Sequence, residues 1–298
     1  MNLSDVREQR ILFTCLNWGS GHVARSIGLI RKLSEQGNSI FVHCSIEQKT
    51  IFEKYELPVN YLPGEKFYFR FKGDGNFVFE MLRNGFRFRK AIKKERILAE
   101  SLVKKYEITL VLSDHCYGFC SSEVTSIFIT HQVQLPPKSG RIAHRIHQKW
   151  LKDFSWIWIM DNEKERLAGI LSNAIEKSSY IGWFSRFSDL EEVIEPNKIV
   201  GIVSGPEPYS KQLFCWILEK YGDQKLTIIA SKKFMETPEN VVLVTDWKQA
   251  DAEILSAETI ISRNGYSTLM DLKFLNKETI LIPTPGQLEQ EYLHTLNT

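Results

Sequence analysis

The chain has no run of about 18 apolar residues, the length a helix needs to cross a bilayer. Its first ten residues, Met1 to Arg10, are polar and charged with no apolar stretch behind a basic head. Neither a spanning helix nor a secretory leader is expected, and the expected compartment is the cytoplasm. Cysteine is scarce. Cys15, Cys44, Cys116, Cys120 and Cys215 are odd in number and scattered, which argues against a disulfide framework, and Cys116 with Cys120 lacks the second pair that a zinc site needs. No Asp-x-Asp metal signature occurs, and neither a metal nor a cofactor is expected. Excess charge is also missing: 38 Lys and Arg stand against 36 Asp and Glu, a net charge of +2. That is too little to argue for nucleic acid, and no RNA-recognition or zinc-finger pattern supports such a partner.

What is present is enough for two domains. At 298 residues the chain exceeds one ordinary domain, and units of about 150 residues are the prior. The residues divide into 1–182 and 183–298, with the hinge between Gly182 and Asn197. Apolar runs alternate with helical spacing throughout. Ile11 to Leu16, Ser39 to Cys44, Glu107 to Ser113, Val124 to Thr130 and Trp156 to Asp161 read as strands of the first half, the last being its final strand. Ser179 to Phe184 then reads as the crossing. Lys198 to Val203, Leu226 to Ala230, Val241 to Thr245, Thr259 to Ile261 and Thr279 to Pro283 read as strands of the second half. The fold class is α/β, two doubly wound parallel sheets facing a cleft.

Polar residues gather where strands end. Asn17-Trp18-Gly19-Ser20-Gly21-His22 interrupts the first strand before a helix, and Asp114-His115 and His131-Gln132 close two later strands. In an open parallel sheet these ends share one edge, where ligands bind. The first loop is open to two readings. Gly19-Ser20-Gly21-His22-Val23-Ala24 satisfies a relaxed dinucleotide fingerprint, with Glu47 placed as a ribose-binding acid, which describes an NAD(P)-dependent oxidoreductase. His22 and Arg25 instead suit a loop facing a cleft.

In the second half, Ser204-Gly205-Pro206-Glu207-Pro208 follows a strand as a candidate diphosphate loop. Ser262-Arg263-Asn264-Gly265 opens a helix carrying Ser267, Thr268 and Asp271, with Gly265 supplying a permissive backbone and the hydroxyls a phosphate site. Pro283-Thr284-Pro285-Gly286-Gln287-Leu288-Glu289-Gln290-Glu291-Tyr292 opens the next. These two segments, with the first glycine loop, resemble GT-B glycosyltransferases of the MurG-like family, glycosyltransferase family 28 type.

The resemblance implies transfer of a sugar from a nucleoside diphosphate sugar, UDP-sugar foremost, to an acceptor hydroxyl, metal-independent and inverting. It implies a donor site of Ser204, Gly205, Arg263, Gly265, Ser267, Thr268, Asp271, Gln290 and Glu291, with Asp271 on the ribose and Gln290 and Glu291 on the sugar. Gly19, Gly21, Arg25 and His131 fall on the acceptor side. His22 is the first candidate for the base that deprotonates the acceptor, and Asp114 the second. A glycan or lipid-linked acceptor is expected. Residues 65–96, with ten Lys or Arg, four Asp or Glu and eight aromatics, suit a basic face lying on the inner membrane surface, or a core helix from Phe77 with solvated charges. A nucleotide-sugar 2-epimerase and a non-catalytic nucleotide-sugar sensor share the architecture. Thr298 falls just after the last helix begins, so a shortened donor domain of lower activity is a further expectation.

Overall fold

The computed structural model describes residues 1–17, 20–65 and 77–297, the side chains of 77–84, 86 and 297 excepted. Gly19 and residues 66–76 of the basic aromatic segment lie outside the described residues.

The first sheet runs through β1 (Arg10–Cys15), α1 (Gly21–Glu35), β2 (Ser39–Cys44), α2 (Ile46–Glu53), β3 (Val59–Pro63), α3 (Phe77–Lys105), β4 (Leu110–Asp114), β5 (Thr125–Thr130), α4 (Arg141–Leu151), β6 (Trp156–Ile159) and β7 (Ser178–Tyr180). Its strands are parallel in the order β3-β2-β1-β4-β5-β6-β7. The second comprises β8 (Ile199–Val203), α5 (Tyr209–Tyr221), β9 (Leu226–Ala230), β10 (Val241–Val244), α6 (Trp247–Ser256), β11 (Thr259–Arg263), α7 (Tyr266–Leu272), β12 (Glu278–Ile282) and α8 (Leu288–Asn297). It is parallel in the order β10-β9-β8-β11-β12. Central strands such as β1 and β4 are buried on both faces, which is why they read as continuous apolar runs without alternation.

One assignment is corrected. Ser178–Tyr180, part of which was expected to cross between domains, is the seventh strand of the first sheet, pairing Ile157 with Ser178 and Ile159 with Tyr180. Three residues with two serines carry no strand periodicity. The indole of Trp156 fixes the edge by donating to Ser179 Oγ at 3.0 Å. Residues 181–198 then connect the sheets without helix or strand.

The two domains share a core. Val23 and Ile27 of α1 join Tyr266, Leu269 and Met270 of α7 and Leu293 of α8 in one buried cluster. At the entry to α1 the approach is close, and a methyl group on Gly21 would stand 2.9 Å from Ser267 Oγ. Glycine is favoured there by contact with the other domain. Gly265, in contrast, has an extended backbone (φ −81°) and open surroundings, with a Cβ 3.9 Å from Gln290 Nε2. The permissive backbone expected of it is not used. No helix among the described residues is long and apolar enough to cross a membrane.

Candidate active site

The sheet order explains how distant residues meet. β1, β4 and β5 are neighbours, so the start of α1, the last residue of β4 and the residue after β5 lie together. They carry His22, Asp114 and His131, and α1 adds Arg25 one turn beyond His22. Asp114 is fully buried and Arg25 is 1% exposed. Arg25 Nε donates to Asp114 Oδ2 at 2.9 Å, and Nη2 donates to Asp114 Oδ1. This two-pronged pairing satisfies a carboxylate with no access to water. Burial pushes the Asp114 carboxyl up, but the guanidinium, aided by His22, overrides it and holds Asp114 well below the usual carboxylate range.

His22 is the part of the cluster that reaches solvent, its side chain 15% exposed, with Nδ1 3.1 Å from Asp114 Oδ2. Burial and then the Arg25 charge lower its pKa below 6.5, against the pull of Asp114. The imidazole is therefore neutral at pH 7, the form a general base needs.

His131 can be assigned a tautomer from its partners. Arg25 Nη1 lies 3.1 Å from Nδ1, and a guanidinium only donates, so Nδ1 accepts and the ring proton sits on Nε2. That proton goes to Glu289 Oε1 at 2.8 Å. The His131 ring also stacks on Tyr266, with centroids 3.9 Å apart and planes at 2°, and Tyr266 Oη donates to Met160 O at 2.6 Å. His115 completes the group. Its centroid is 5.1 Å from that of His22 and 5.4 Å from that of His131, and its backbone is left-handed (φ 59°). Burial, followed by the Arg25 and His22 charges, drives its pKa well below 6.5.

One residue before His22 the surface opens into a cavity of about 370 Å³, between the start of α1 and the carboxyl edge of the second sheet. Ser20 and Gly21 line it from the first domain, and Ser204, Gly205, Ser231, Thr245, Ser267 and Thr268 from the second. Gly205 there has φ +96°, a backbone that side-chain-bearing residues rarely adopt. The cavity's charged groups are Arg186, Asp246 and Asp271. Arg186, on the connecting segment, is clamped by two acids: Nε donates to Asp251 Oδ1 at 2.7 Å and Nη1 to Asp271 Oδ2 at 2.5 Å. Burial opposes its charge, but Asp271 and Asp251 outweigh that and hold the proton more tightly. Ser185 Oγ donates to the other oxygen of Asp271 at 2.5 Å, and Tyr55 Oη donates to Asp251 Oδ2 at 2.6 Å.

The expected residues therefore fall into three groups. His22, Arg25, Asp114 and His131 form one cluster. Gly21, Ser204, Gly205, Ser267, Thr268 and Asp271 share the neighbouring cavity. Arg263, Gln290 and Glu291 are engaged within the second domain: Arg263 donates to Pro283 O and Tyr209 O, Gln290 accepts from Thr284 N, and Glu291 accepts from Gly286 N. Glu47 is exposed in the first turn of α2. The reading of the sequence passed over Glu289 and Arg186; His115 it placed at the edge without a role.

Residues 202–296 match the model of the glycosyltransferase family 28 C-terminal domain. No curated protein sequence matches the chain. Among solved structures, the glycotransferase of kitacinnamycin is 14% identical, with a TM-score of 0.61 over 98% of this chain and 85% of its own. The Streptomyces sp. SF2575 glycosyltransferase SsfS6, complexed with thymidine diphosphate, is 13% identical, with a TM-score of 0.61 over 97% of this chain and 86% of its own. Phytolacca americana UGT2, complexed with UDP-2fluoro-glucose and pterostilbene, is 10% identical, with a TM-score of 0.61 over 97% of this chain and 83% of its own. The second domain thus matches the family 28 glycosyltransferase C-terminal domain, and the chain has the two-domain fold of the GT-B type.

Proposed function

We propose that this chain transfers a sugar from a nucleoside diphosphate sugar, a UDP-sugar in the first place, to an acceptor hydroxyl, without a metal and with inversion. One juxtaposition carries the reading: the hydroxyl-lined cavity of the family 28 domain closes against Gly21, and the next residue, His22, is neutral and backed by Asp114. Two of the similar structures hold nucleoside diphosphates, one of uridine and one of thymidine, which supports a pyrimidine donor.

The donor diphosphate lies along Ser204, Gly205, Ser267 and Thr268, whose hydroxyl and main-chain dipoles stabilise the charge it acquires on leaving. Asp271 holds the ribose. Each of its oxygens accepts one bond, from Ser185 or Arg186, and retains a lone pair for a ribose hydroxyl. Gln290 keeps its amide nitrogen for a hydroxyl of the sugar. His22 Nε2 takes the acceptor proton as the acceptor oxygen bonds to the anomeric carbon, and the bond from that carbon to the diphosphate breaks with its electron pair leaving on oxygen. Attack from the face opposite the diphosphate inverts the centre. Exposed Arg87, Arg89, Lys90, Lys93 and Lys94 on α3 favour an acceptor linked to lipid at an anionic membrane face.

Release of nucleoside diphosphate from UDP- and dTDP-hexoses, measured with a panel of glycan and lipid-linked acceptors, tests the proposal. Acceptor-dependent release that His22→Ala abolishes supports it. Conversion of the donor sugar with no acceptor identifies an epimerase, and binding without turnover a sensor.

A further inference from the structure

A buried chain of hydrogen bonds joins the domains beside His22, and the transfer just proposed makes no use of its far end. Glu289, in the first turn of α8, accepts from His131 Nε2 at 2.8 Å, His131 Nδ1 accepts from Arg25 Nη1 at 3.1 Å, and Arg25 holds Asp114 through Nε at 2.9 Å and through Nη2. The second domain grips His131 on its edge through Glu289 and on its face through Tyr266.

The point of conflict is His22 Nδ1. It lies 3.1 Å from Asp114 Oδ2, which only accepts, and 2.8 Å from Arg25 Nη2, which only donates. One nitrogen cannot answer both. A proton on Nδ1 satisfies Asp114 and leaves Nε2 the lone pair of a base. A bare Nδ1 accepts from Arg25 and moves the proton to Nε2, where the ring can no longer take the acceptor's proton. The outcome depends on where the guanidinium sits between His22 and His131.

We infer that Glu289 is a positioning residue for His22: by fixing His131 with its Nδ1 toward Arg25, it anchors Nη1, so that Nη2, 2.8 Å from His22 Nδ1, competes less strongly with Asp114 Oδ2 for that nitrogen. Because Glu289 and Tyr266 both belong to the second domain, the base is set only when the domains meet as they do here. The inference rests on the assignment of His22 as base, and it extends that assignment to a residue in the other domain that touches neither reacting atom.

The test uses the full chain with ¹⁵N-labelled histidine, reading the tautomers of His22 and His131 from long-range proton–nitrogen correlations at mildly alkaline pH. His22→Gln and His131→Gln supply the assignments. Wild type is expected to show His131 protonated on Nε2 and His22 mainly on Nδ1. Glu289→Ala moves the His22 population to mainly Nε2, and Glu289→Gln, which keeps an acceptor but no charge, moves it part of the way with the melting temperature close to wild type. A His22 tautomer ratio identical in wild type and both variants overturns the inference, and if Glu289→Ala does not fold, Glu289→Gln decides alone. A wild-type His22 already protonated on Nε2 refutes the base assignment instead, and a shift of His22 toward Nδ1 in Glu289→Ala overturns the inference.

Discussion

Asp114→Asn isolates the electrostatic centre of the site. The substitution keeps shape but turns one acceptor oxygen into an amide, which faces the N–H groups of Arg25 and leaves a guanidinium only 1% exposed without a counter-charge. Breaking a buried pair on one side costs about 3–5 kcal/mol. At about 2 °C per kcal/mol for a chain of this size, the melting midpoint at pH 7 falls by about 6–10 °C. The pH dependence carries a sign. The folded Asp114 pKa is depressed, so its contribution is complete above the unfolded value of about 3.9 and is lost as pH falls toward the folded one. The gap between wild type and variant should hold from pH 7 to pH 5 and narrow below about pH 4. Adding Arg25→Met with Asp114→Leu removes both charges and recovers most of the loss. Calorimetric melts across this range are the assay. A midpoint for Asp114→Asn within about 1 °C of wild type at pH 7, or a gap that widens on acidification, refutes the reasoning.

Gly21→Ala places a methyl group 2.9 Å from Ser267 Oγ and should cost about 1–3 kcal/mol, a loss that Ser267→Gly in the same chain relieves in thermal melts. Gly205→Ala has open space but the wrong backbone, at φ +96°; about 1–3 kcal/mol of strain is expected, along with weaker nucleotide binding by calorimetry. For turnover, His22→Ala should lower kcat by about 10²–10⁴-fold. The acid limb of the kcat/KM profile should lie below pH 6.5, because burial and Arg25 lower the His22 pKa, and an acid limb above that value contradicts the assignment.

The cluster of His22, Asp114 and His131 was legible because parallel sheets expose strand ends on one edge, where polar residues that break apolar runs come together. Ser204, Ser267, Thr268 and Asp271, which line one cavity, were legible for the same reason. Glu289 was not, since an acid in the first turn of a helix reads as an ordinary response to the helix dipole, and nothing local says that a histidine 158 residues away will meet it. Arg186 sits in a segment with no periodicity, and only the packing of two domains shows that Asp251 and Asp271 enclose it. Arg263 illustrates the opposite failure: a cation in a polar turn suggests a phosphate ligand, yet its position at the end of β11 lets main-chain carbonyls of neighbouring loops take both terminal amino groups.

The most direct measurement of the central claim is the thermal stability of wild type and Asp271→Asn with saturating UDP, dTDP or NADH. A nucleoside diphosphate at 100 times its dissociation constant stabilises the folded state by about 2.7 kcal/mol, which raises the midpoint by about 5 °C. That shift is expected for UDP or dTDP, with a smaller one in Asp271→Asn and none for NADH. A shift with NADH alone would move the functional centre to the first glycine loop and contradict the donor site proposed here.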